Sequence, residues 1–521
     1  MGDFGFSKLL DRSKSPLAIV LVLGLAVRLI LLPILTFELD LGYWLRITGL
    51  LDSGFGLYDT VGYYYTPIWG YIVALFSTLG YLIGISDLGT FVPELTQFTT
   101  GVYFISDYVV SPAYAVMMKI PIILADIVTA FLLYGIVKDI TGDERKSLMA
   151  FSLWYLCPFV ILISSVHGMF DSISAMLIVL TIVFIHKRNY FFGGVTFALS
   201  VLTKFFPIFF IFFLVAYVLK REGIDRHGLK HLTIAIVGSL ITVVLVQLPA
   251  IINGQFWESL SFLTSRLGLS TDTMYALSSP RMLMVWCTIL IALVLLGLWL
   301  YRVKYRRFKE CIVAMDSKTR DRLVIRSLFT IGGVLTLGVF AYSLLTVGGG
   351  TLMGVLVSIS MKFVTLFSIY ALLLEIYIAY RLLVEEELNE KSVFTALMLS
   401  SLMIFLWPAL PQYLVVIVPF LVLYAVLVDE GFLGPFRYFS RVLFAYECIL
   451  LNASVLFTIA VYTDLVPIDV PIFITECASY VFMGIPVSVP ILAVIVVFEY
   501  LGMLRMFQVW NHNKGVPIHA K

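Results

Sequence analysis

Two carboxylates stand two residues apart where the first long apolar segment of the chain ends. Glu38 and Asp40 follow directly on an apolar run of residues 16–36. A partly desolvated carboxylate at such a place is able to act as a general base toward a sugar hydroxyl. The pair also fits a solvated helix end without a chemical role, and the residues alone leave both interpretations open.

Aromatic residues, several with hydroxyl groups, follow the carboxylate pair. Such rings suit a sugar-binding wall, and they equally suit the aromatic belt that membrane proteins place at the bilayer surface. The residues predicted to contact substrate in this region are Glu38, Trp44, Tyr58, Tyr63 and Tyr65.

A short polar segment, residues 164–172, is predicted to be a loop between two apolar runs, and Lys204 follows further along the chain. A lysine at the membrane surface holds a lipid phosphate as a point charge, or merely extends its ammonium group to water. We predict donor-phosphate contacts for Lys204, with Arg266 and Arg281 as further candidates. We predict substrate contacts for His167 and Asp171.

Two charged residues fall inside apolar segments, where a charge is costly and needs a partner. Asp126 is either functional or paired with Lys119 or a nearby hydroxyl. Arg28 is expected to pair with Asp126 or with Glu375, and the sequence does not choose between them.

The elements that must position these residues are membrane helices. Of the 521 residues, 61% are hydrophobic and only 13% are charged, whereas a soluble domain carries about 25% charged residues. Apolar runs of about 20 residues, each long enough to cross a bilayer, recur from end to end. The net charge of +2 gives no basic signal for nucleic acid. We therefore predict an all-α polytopic integral membrane protein with a bundle of roughly 12–14 transmembrane helices.

Clusters of Lys and Arg set the predicted topology, because such clusters remain on the cytoplasmic side. Both termini are then cytoplasmic. Residues 66–86 are long enough to cross, but the following segment 87–111 contains no Lys or Arg, and a crossing would invert every later basic loop. We predict that 66–86 is re-entrant or lies in the interface, within a long first outside loop of residues 37–111.

We divide the chain into a catalytic module, residues 1–220, and a variable transmembrane module, residues 221–521, with outside loops 252–281 and 463–484. The segment 190–220 is short for two crossings, which indicates broken or tilted helices near Lys204. The five cysteines are scattered, and no phosphate-binding loop, dinucleotide fingerprint or His/Cys metal motif is recognised. We expect no cofactor and predict no metal ligands, although a divalent metal remains open.

Taken together, these motifs resemble the GT-C superfamily of membrane glycosyltransferases. Within it they are similar to the catalytic subunits of the first mannosyltransferase of glycosylphosphatidylinositol-anchor assembly. That family has a D-x-D-type pair after the first helix, then G-x-x-P-Y and Y-x-Y-T-P. Here residues 38–40, 54–58 and 63–67 stand at the same spacings, with Glu38 in place of the first Asp and Leu57 in place of Pro. The pairs Cys157-Pro158 and Gln412-Tyr413, and the segment from Lys204 to Pro207, resemble its later motifs.

The resemblance implies an inverting glycosyltransferase that uses a polyprenyl-phosphate sugar, with mannose the first expectation. The acceptor is expected to be a hydroxyl of a lipid-linked or glycan molecule at the outer or lumenal face. It implies Asp40 as the catalytic base and substrate contacts at Gln412 and Tyr413. The expected location is the plasma membrane of a prokaryote or the endoplasmic reticulum membrane.

Two other functions remain open at the level of sequence. A multi-pass lipid or sugar transporter, or flippase, predicts internal repeats and broken helices in both halves, and only the pair at 190–220 is recognised. A non-catalytic scaffold is the other alternative.

Overall fold

The described part of the chain is built almost entirely of helices, which confirms the predicted all-α membrane fold. The computed structural model describes residues 16–59, 63, 65–93, 95, 108–261, 319, 323–324, 326–327, 330, 372–385, 388–406, 411–451, 455–463, 465–474 and 505–510. Its one described sheet is a two-stranded antiparallel ribbon of β1 (Gly89–Phe91) and β2 (Tyr108–Val110).

Three helices precede and surround that ribbon. They are α1 (Pro16–Leu31), α2 (Glu38–Asp52) and α3 (Pro67–Leu82). The proline at the first position of α3 has no amide hydrogen that would need an acceptor, and its ring fixes φ close to the helical value. Helix α2 begins at Glu38, so Glu38 and Asp40 both lie in its first turn. Residues two apart on a helix point to nearly opposite sides.

Seven helical segments follow and form the centre of the bundle. They are α4 (Pro112–Thr141), α5 (Glu144–Tyr155), α6 (Pro158–Ile161) with a π-helical continuation Leu162–His167, α7 (Asp171–His186), α8 (Tyr190–Thr203), α9 (Ile211–Glu222) and α10 (Arg226–Ile252). Short 3₁₀ segments lie at Phe206–Phe210 and Glu258–Leu260. The break between α8 and α9 at Lys204 confirms the interruption expected there.

Helices from the last third of the chain pack onto this centre. They are α11 (Glu390–Leu402), α12 (Val418–Leu427), α13 (Leu433–Leu451) and α14 (Phe457–Thr463), with 3₁₀ segments Met403–Leu406, Pro411–Val416 and Glu430–Phe432. Phe210 and Phe420 are in contact, with ring centroids 4.9 Å apart. Residues on both sides of position 220 thus share one hydrophobic core.

Capping explains where the longest helix begins and ends. The Ser111 side chain accepts a hydrogen bond from the Tyr114 amide at the start of α4, and Pro112 occupies the first turn. Gly142 ends the helix at a positive φ of 66°, and its amide donates to the Lys138 carbonyl. Among the described residues, α4 and α10 are each long and apolar enough to cross a bilayer, and α5 with α6, bent by 46°, would make a third span.

Helix α10 turns an apolar face outward, as a lipid-facing helix must. The exposed apolar residues of this face are Ile236, Val237, Leu240, Ile241, Val244, Leu245 and Leu248.

The connections between helices gather at two ends of the bundle. Hydrogen bonds between Ser174 and Ser200 and between Thr181 and Thr196 fix α7 and α8 as antiparallel neighbours. One end carries residues 112, 168–170, 204–205 and 252, and we call it the aromatic end. The other carries 142–143, 187–189 and 223–225 beside several Lys and Arg residues, and we call it the basic end.

Helix α3 lies against the aromatic end. The Tyr71 hydroxyl donates to the Val246 carbonyl near the end of α10 (3.2 Å). At the other end of α3, Gly80 packs on Met117, close to the start of α4. Both ends of α3 thus contact helix segments near the same end of the bundle. The interfacial placement of residues 66–86 stays a prediction.

A buried ion pair joins α1 to the bundle. The Arg28 guanidinium donates to Asp126 Oδ2 from Nε (3.1 Å) and Nη2 (3.0 Å), and to the Tyr155 carbonyl from Nη1 (2.8 Å). Both side chains have no exposed surface. Asp126 is therefore paired with Arg28 and not with Lys119, whose ammonium group donates to the carbonyls of Leu32 and Leu35.

We expect Arg28→Met to destabilise the protein strongly, because it leaves the Asp126 carboxylate buried without its main counter-charge. Removing one partner of a buried pair costs about 3–5 kcal/mol. The measurement is the apparent midpoint of thermal unfolding of the purified protein in detergent. The double variant Arg28→Met/Asp126→Leu should recover much of the loss.

Lys138→Met is the matched control on α4, because its ion pair with Glu144 is about half exposed or more on both sides. Exposed pairs contribute about 0–1 kcal/mol. An equal loss in Lys138→Met and Arg28→Met would contradict the importance assigned to the buried pair.

Candidate active site

His167 lies between two carboxylates at the aromatic end of the bundle. Its Nε2 is 2.6 Å from Asp40 Oδ2, and its Nδ1 is 2.5 Å from Glu447 Oε1. The side chains of His167 and Glu447 are fully buried, whereas that of Asp40 is 20% exposed. Asp40 is therefore the member of the three whose side chain has exposed surface.

The local backbone brings His167 to this place. Pro158 begins a new helical segment after α5, and Leu162–His167 then widens into a π-helix, a form that often marks functional sites. Gly168 ends the turn with φ of 77°, and a Cβ there would lie 2.5 Å from Leu41 Cδ1. Glycine thus permits both the turn and the close approach to α2.

The polar segment expected to be a loop is therefore mostly helical. Ser164 lies in this helical stretch, where its hydroxyl donates back to the Val160 carbonyl (3.0 Å). Only residues 168–170 lie outside a helix, which is why His167 is buried and not exposed in a turn.

The proton count of this cluster follows from its geometry. An ionised carboxylate only accepts hydrogen bonds, so both imidazole nitrogens must donate if both carboxylates are ionised. The three groups then consist of an imidazolium flanked by two carboxylates, with a net charge of −1. This arrangement holds Asp40 in a fixed orientation and leaves a net negative charge on the cluster.

Lys204 lies in a second buried cluster beside the first. Its Nζ is 3.2 Å from Asp171 Oδ2, and both side chains are buried. Aromatic rings surround the ammonium group, with centroids 4.3 Å away for Phe170, 4.9 Å for Tyr413 and 5.0 Å for Tyr65. The charges of His167 and Asp40 also act on Asp171, so the two clusters are electrostatically connected.

Gln412 and Tyr413 come to this cluster from far along the chain. They lie in the 3₁₀ segment Pro411–Val416, which packs on α7. The Tyr413 ring contacts Phe206 at 4.5 Å, and Gln412 is buried. The structure thus brings Tyr413 to the lysine, and the substrate contacts implied for Gln412 and Tyr413 stay a prediction.

The aromatic residues after Asp40 form a packed core. Trp44 is fully buried and contacts Tyr65, Trp69 and Phe170, all with centroids within 5.8 Å. The Tyr58 hydroxyl donates to the Tyr65 carbonyl (2.9 Å), and the Tyr63 hydroxyl donates to the Thr66 carbonyl (2.9 Å). These rings therefore hold the cluster around Lys204 in place from the side of α2 and α3.

Glu38 points away from Asp40 and is fully buried. Its Oε2 accepts from the Val110 amide (3.0 Å), and its Oε1 is hydrogen-bonded to the Thr458 hydroxyl. Burial raises the pKa of the Glu38 carboxyl to about 8. Glu38 therefore links α2 to β2 and α14, and both of its oxygens already have partners.

One member of the site was missed by sequence reasoning. Glu447 is an acid in the middle of an apolar stretch, and that signal, applied above to Asp126, would have marked it for attention. Its partner is 280 residues away, so the sequence did not indicate which group it meets. Arg266 and Arg281 lie outside the described residues.

Comparison with known proteins supports the GT-C resemblance. Residues 88–268 match the family described as the ALG6, ALG8 glycosyltransferase family. GPI mannosyltransferase 1 of Saccharomyces cerevisiae is 29% identical over 92 residues, which cover 18% of this chain and 22% of the yeast protein. The matched segments thus resemble membrane glycosyltransferases, and the second match spans under a quarter of its relative.

The raised pKa of Glu38 predicts a stability that falls with pH. Below about pH 4.3 the carboxyl is protonated whether the chain is folded or unfolded. Between that value and about 8 the unfolded chain ionises while the folded one keeps its proton, so stability falls by at most about 1.4 kcal/mol per pH unit. Above pH 8 the effect levels off.

Glu38→Gln mimics the protonated carboxyl and should remove this dependence. We expect the apparent midpoint of thermal unfolding of the wild type to fall relative to Glu38→Gln between pH 5 and 8. Exposed Glu144 serves as the control, because Glu144→Gln replaces a group ionised in both states over this range. A constant difference between wild type and Glu38→Gln across these pH values would contradict a protonated Glu38.

Proposed function

We propose that this protein is an inverting glycosyltransferase that moves a sugar, mannose by preference, from a polyprenyl-phosphate donor to a hydroxyl of a lipid-linked or glycan acceptor. The observation that carries the proposal is the Asp40–His167–Glu447 chain of carboxylate, imidazole and carboxylate, with only Asp40 accessible. A base held this way suits removal of a proton from a sugar hydroxyl. The two sequence matches support the same class of reaction.

The proposed reaction is a single displacement. The acceptor hydroxyl oxygen bonds to the anomeric carbon on the side opposite the phosphate, and its proton passes to Asp40. The bond between the anomeric carbon and the phosphate oxygen breaks, and its electron pair leaves with the lipid phosphate. His167 keeps Asp40 in position during this step, and Glu447 keeps the imidazole in position.

Lys204 is proposed to stabilise the negative charge of the departing phosphate. Its ammonium group is oriented by Asp171 and by aromatic rings before any phosphate arrives. Because it is buried, its attraction for a phosphate is screened little by water. Arg266 and Arg281 remain proposed as further phosphate contacts.

We propose that the aromatic end faces outward or into the lumen. The support is the arrangement of charges, because the loops rich in Lys and Arg meet at the opposite end. Donor and acceptor lipids would then reach Asp40 from the outer leaflet. A transporter or flippase, the alternative from sequence, needs no general base, and the buried imidazole between two carboxylates favours the enzyme.

Asp40→Asn is the sharpest test of the proposed function, because it retains the shape of the side chain but cannot accept the proton. We expect transfer to fall by about 10²–10⁴-fold, with donor binding and thermal stability close to wild type. The measurement is transfer by purified protein from radiolabelled polyprenyl-phosphate mannose or glucose to candidate lipid-linked acceptors.

Asp52→Asn is the matched control, since Asp52 lies at the far end of the same helix and accepts a hydrogen bond from Tyr81 (2.5 Å). It should retain full transfer, and Glu38→Gln should lose less than Asp40→Asn. Near-normal turnover by Asp40→Asn would move the base elsewhere, with Asp171 the next candidate. Lipid transport by the wild type without any transfer would favour the flippase.

The proposed topology makes a separate prediction. In a chain whose native cysteines are replaced by alanine, Asp87→Cys should react from outside with a membrane-impermeant thiol reagent. Arg145→Cys, exposed at the basic end, should react only after permeabilisation. The opposite pattern would place the aromatic end in the cytoplasm. Asp107, in the same predicted loop as Asp87, lies outside the described residues.

A further inference from the structure

Three potential metal ligands meet at the basic end of the bundle, far from Asp40 along the helices. Glu222 is the last residue of α9, and His227 and His231 stand one turn apart near the start of α10. One ligand atom from each of the three lies within 4.8 Å of the other two. No His/Cys metal motif is recognised in the sequence, but folding of the α9–α10 connection brings these two histidines together with the glutamate.

The connection between α9 and α10 is a tight turn, which brings the end of α9 next to the start of α10. Gly223 ends α9 with φ of 101°, and a Cβ on Gly228 would lie 1.9 Å from the Gly223 carbonyl oxygen. The Asp225 carboxylate accepts from the amides of His227 (2.9 Å) and Gly228 (3.1 Å), which starts α10 at once. Two glycines and a capping aspartate thus force a tight turn.

The distances fit a transition-metal ion. His227 Nε2 and His231 Nε2 are 3.4 Å apart. Two imidazole nitrogens bound to one tetrahedral zinc ion at about 2.0–2.1 Å are themselves separated by about 3.3–3.4 Å. Glu222 Oε2 lies 3.9 Å from His231 Nε2. A small movement of this carboxylate toward the histidines would place three ligand atoms around one ion.

Surrounding groups already orient these ligands. The Tyr190 hydroxyl donates to Glu222 Oε1 (2.6 Å), which leaves Oε2 directed toward the histidines. The Tyr190 ring also packs on the His231 ring, with centroids 4.8 Å apart. Arg188, which lies in the left-handed region with φ of 58°, places its Nε 3.4 Å from Glu222 Oε1. Outer contacts of this kind fix ligand orientation in metal sites.

We propose that Glu222, His227 and His231 form a binding site for a divalent transition-metal ion of the zinc class, which clasps the α9–α10 turn at the basic end. Two imidazole ligands and one carboxylate suit borderline metals, whereas magnesium and calcium prefer oxygen ligands alone. His227 is 61% exposed, so the ion has a path from solvent and room for water at its remaining positions. The site is independent of the proposed glycosyl transfer.

The test is zinc binding by the full-length protein, purified with an affinity tag that contains no histidine and stripped with a chelator. Isothermal titration with zinc chloride should give one equivalent, and excess magnesium should not compete. His227→Gln and His231→Gln should each weaken binding by more than about 100-fold, because each removes a direct ligand. Tyr190→Phe should weaken it by about 10–100-fold, the effect of losing an outer contact.

His186→Gln is the matched control, since His186 also lies at the basic end but bonds to Tyr217 (3.3 Å) and not to this cluster. Its zinc affinity should equal that of the wild type. Cobalt added to the wild type should give the visible absorption of a low-symmetry four- or five-coordinate ion, a readout that requires no variant to fold. Absence of stoichiometric zinc binding, or full retention of it in both ligand variants, would overturn the proposal.

Discussion

The cost of burying charge in an apolar bundle is the constraint on which the rest of this structure depends. An unpaired charge in such surroundings is expensive, so each buried acid or base must find a partner. His167 meets the requirement for two carboxylates at once. The same contacts join α2, the π-helical segment and α13, so the arrangement that pairs the charges also determines where these three elements lie.

The sequence was sufficient where a residue's environment depends on its near neighbours. The break at Lys204 was correctly expected, because the flanking segments are too short to cross a membrane. Asp40 was singled out as a candidate because it follows an apolar run directly, and its role stays a prediction. The sequence was insufficient where a contact joins distant residues. Nothing near Glu447 indicates that it meets His167, and nothing near Glu38 indicates that Val110 and Thr458 enclose it.

The aromatic residues show a related limit. The sequence predicted a sugar-binding wall or an interfacial belt for these rings, but an open wall and a packed core use the same residue types. The structure shows that Trp44 is buried against Tyr65, Trp69 and Phe170. The packed rings therefore serve as structural support. They hold Lys204 and Asp171 near Asp40 because the rings themselves have little freedom to move.

The span of the contacts at the aromatic end has a consequence for biosynthesis. Helices α4 to α10 pack extensively on one another, so they are able to assemble as the chain leaves the ribosome. The bond between His167 and Glu447 closes a loop of 280 residues, and that between Glu38 and Thr458 closes one of 420. Glu38 and His167 must therefore wait for the last third of the chain before they meet Thr458 and Glu447. A truncated or stalled translation product would hold a nearly complete helical centre in which His167 still lacks its second carboxylate.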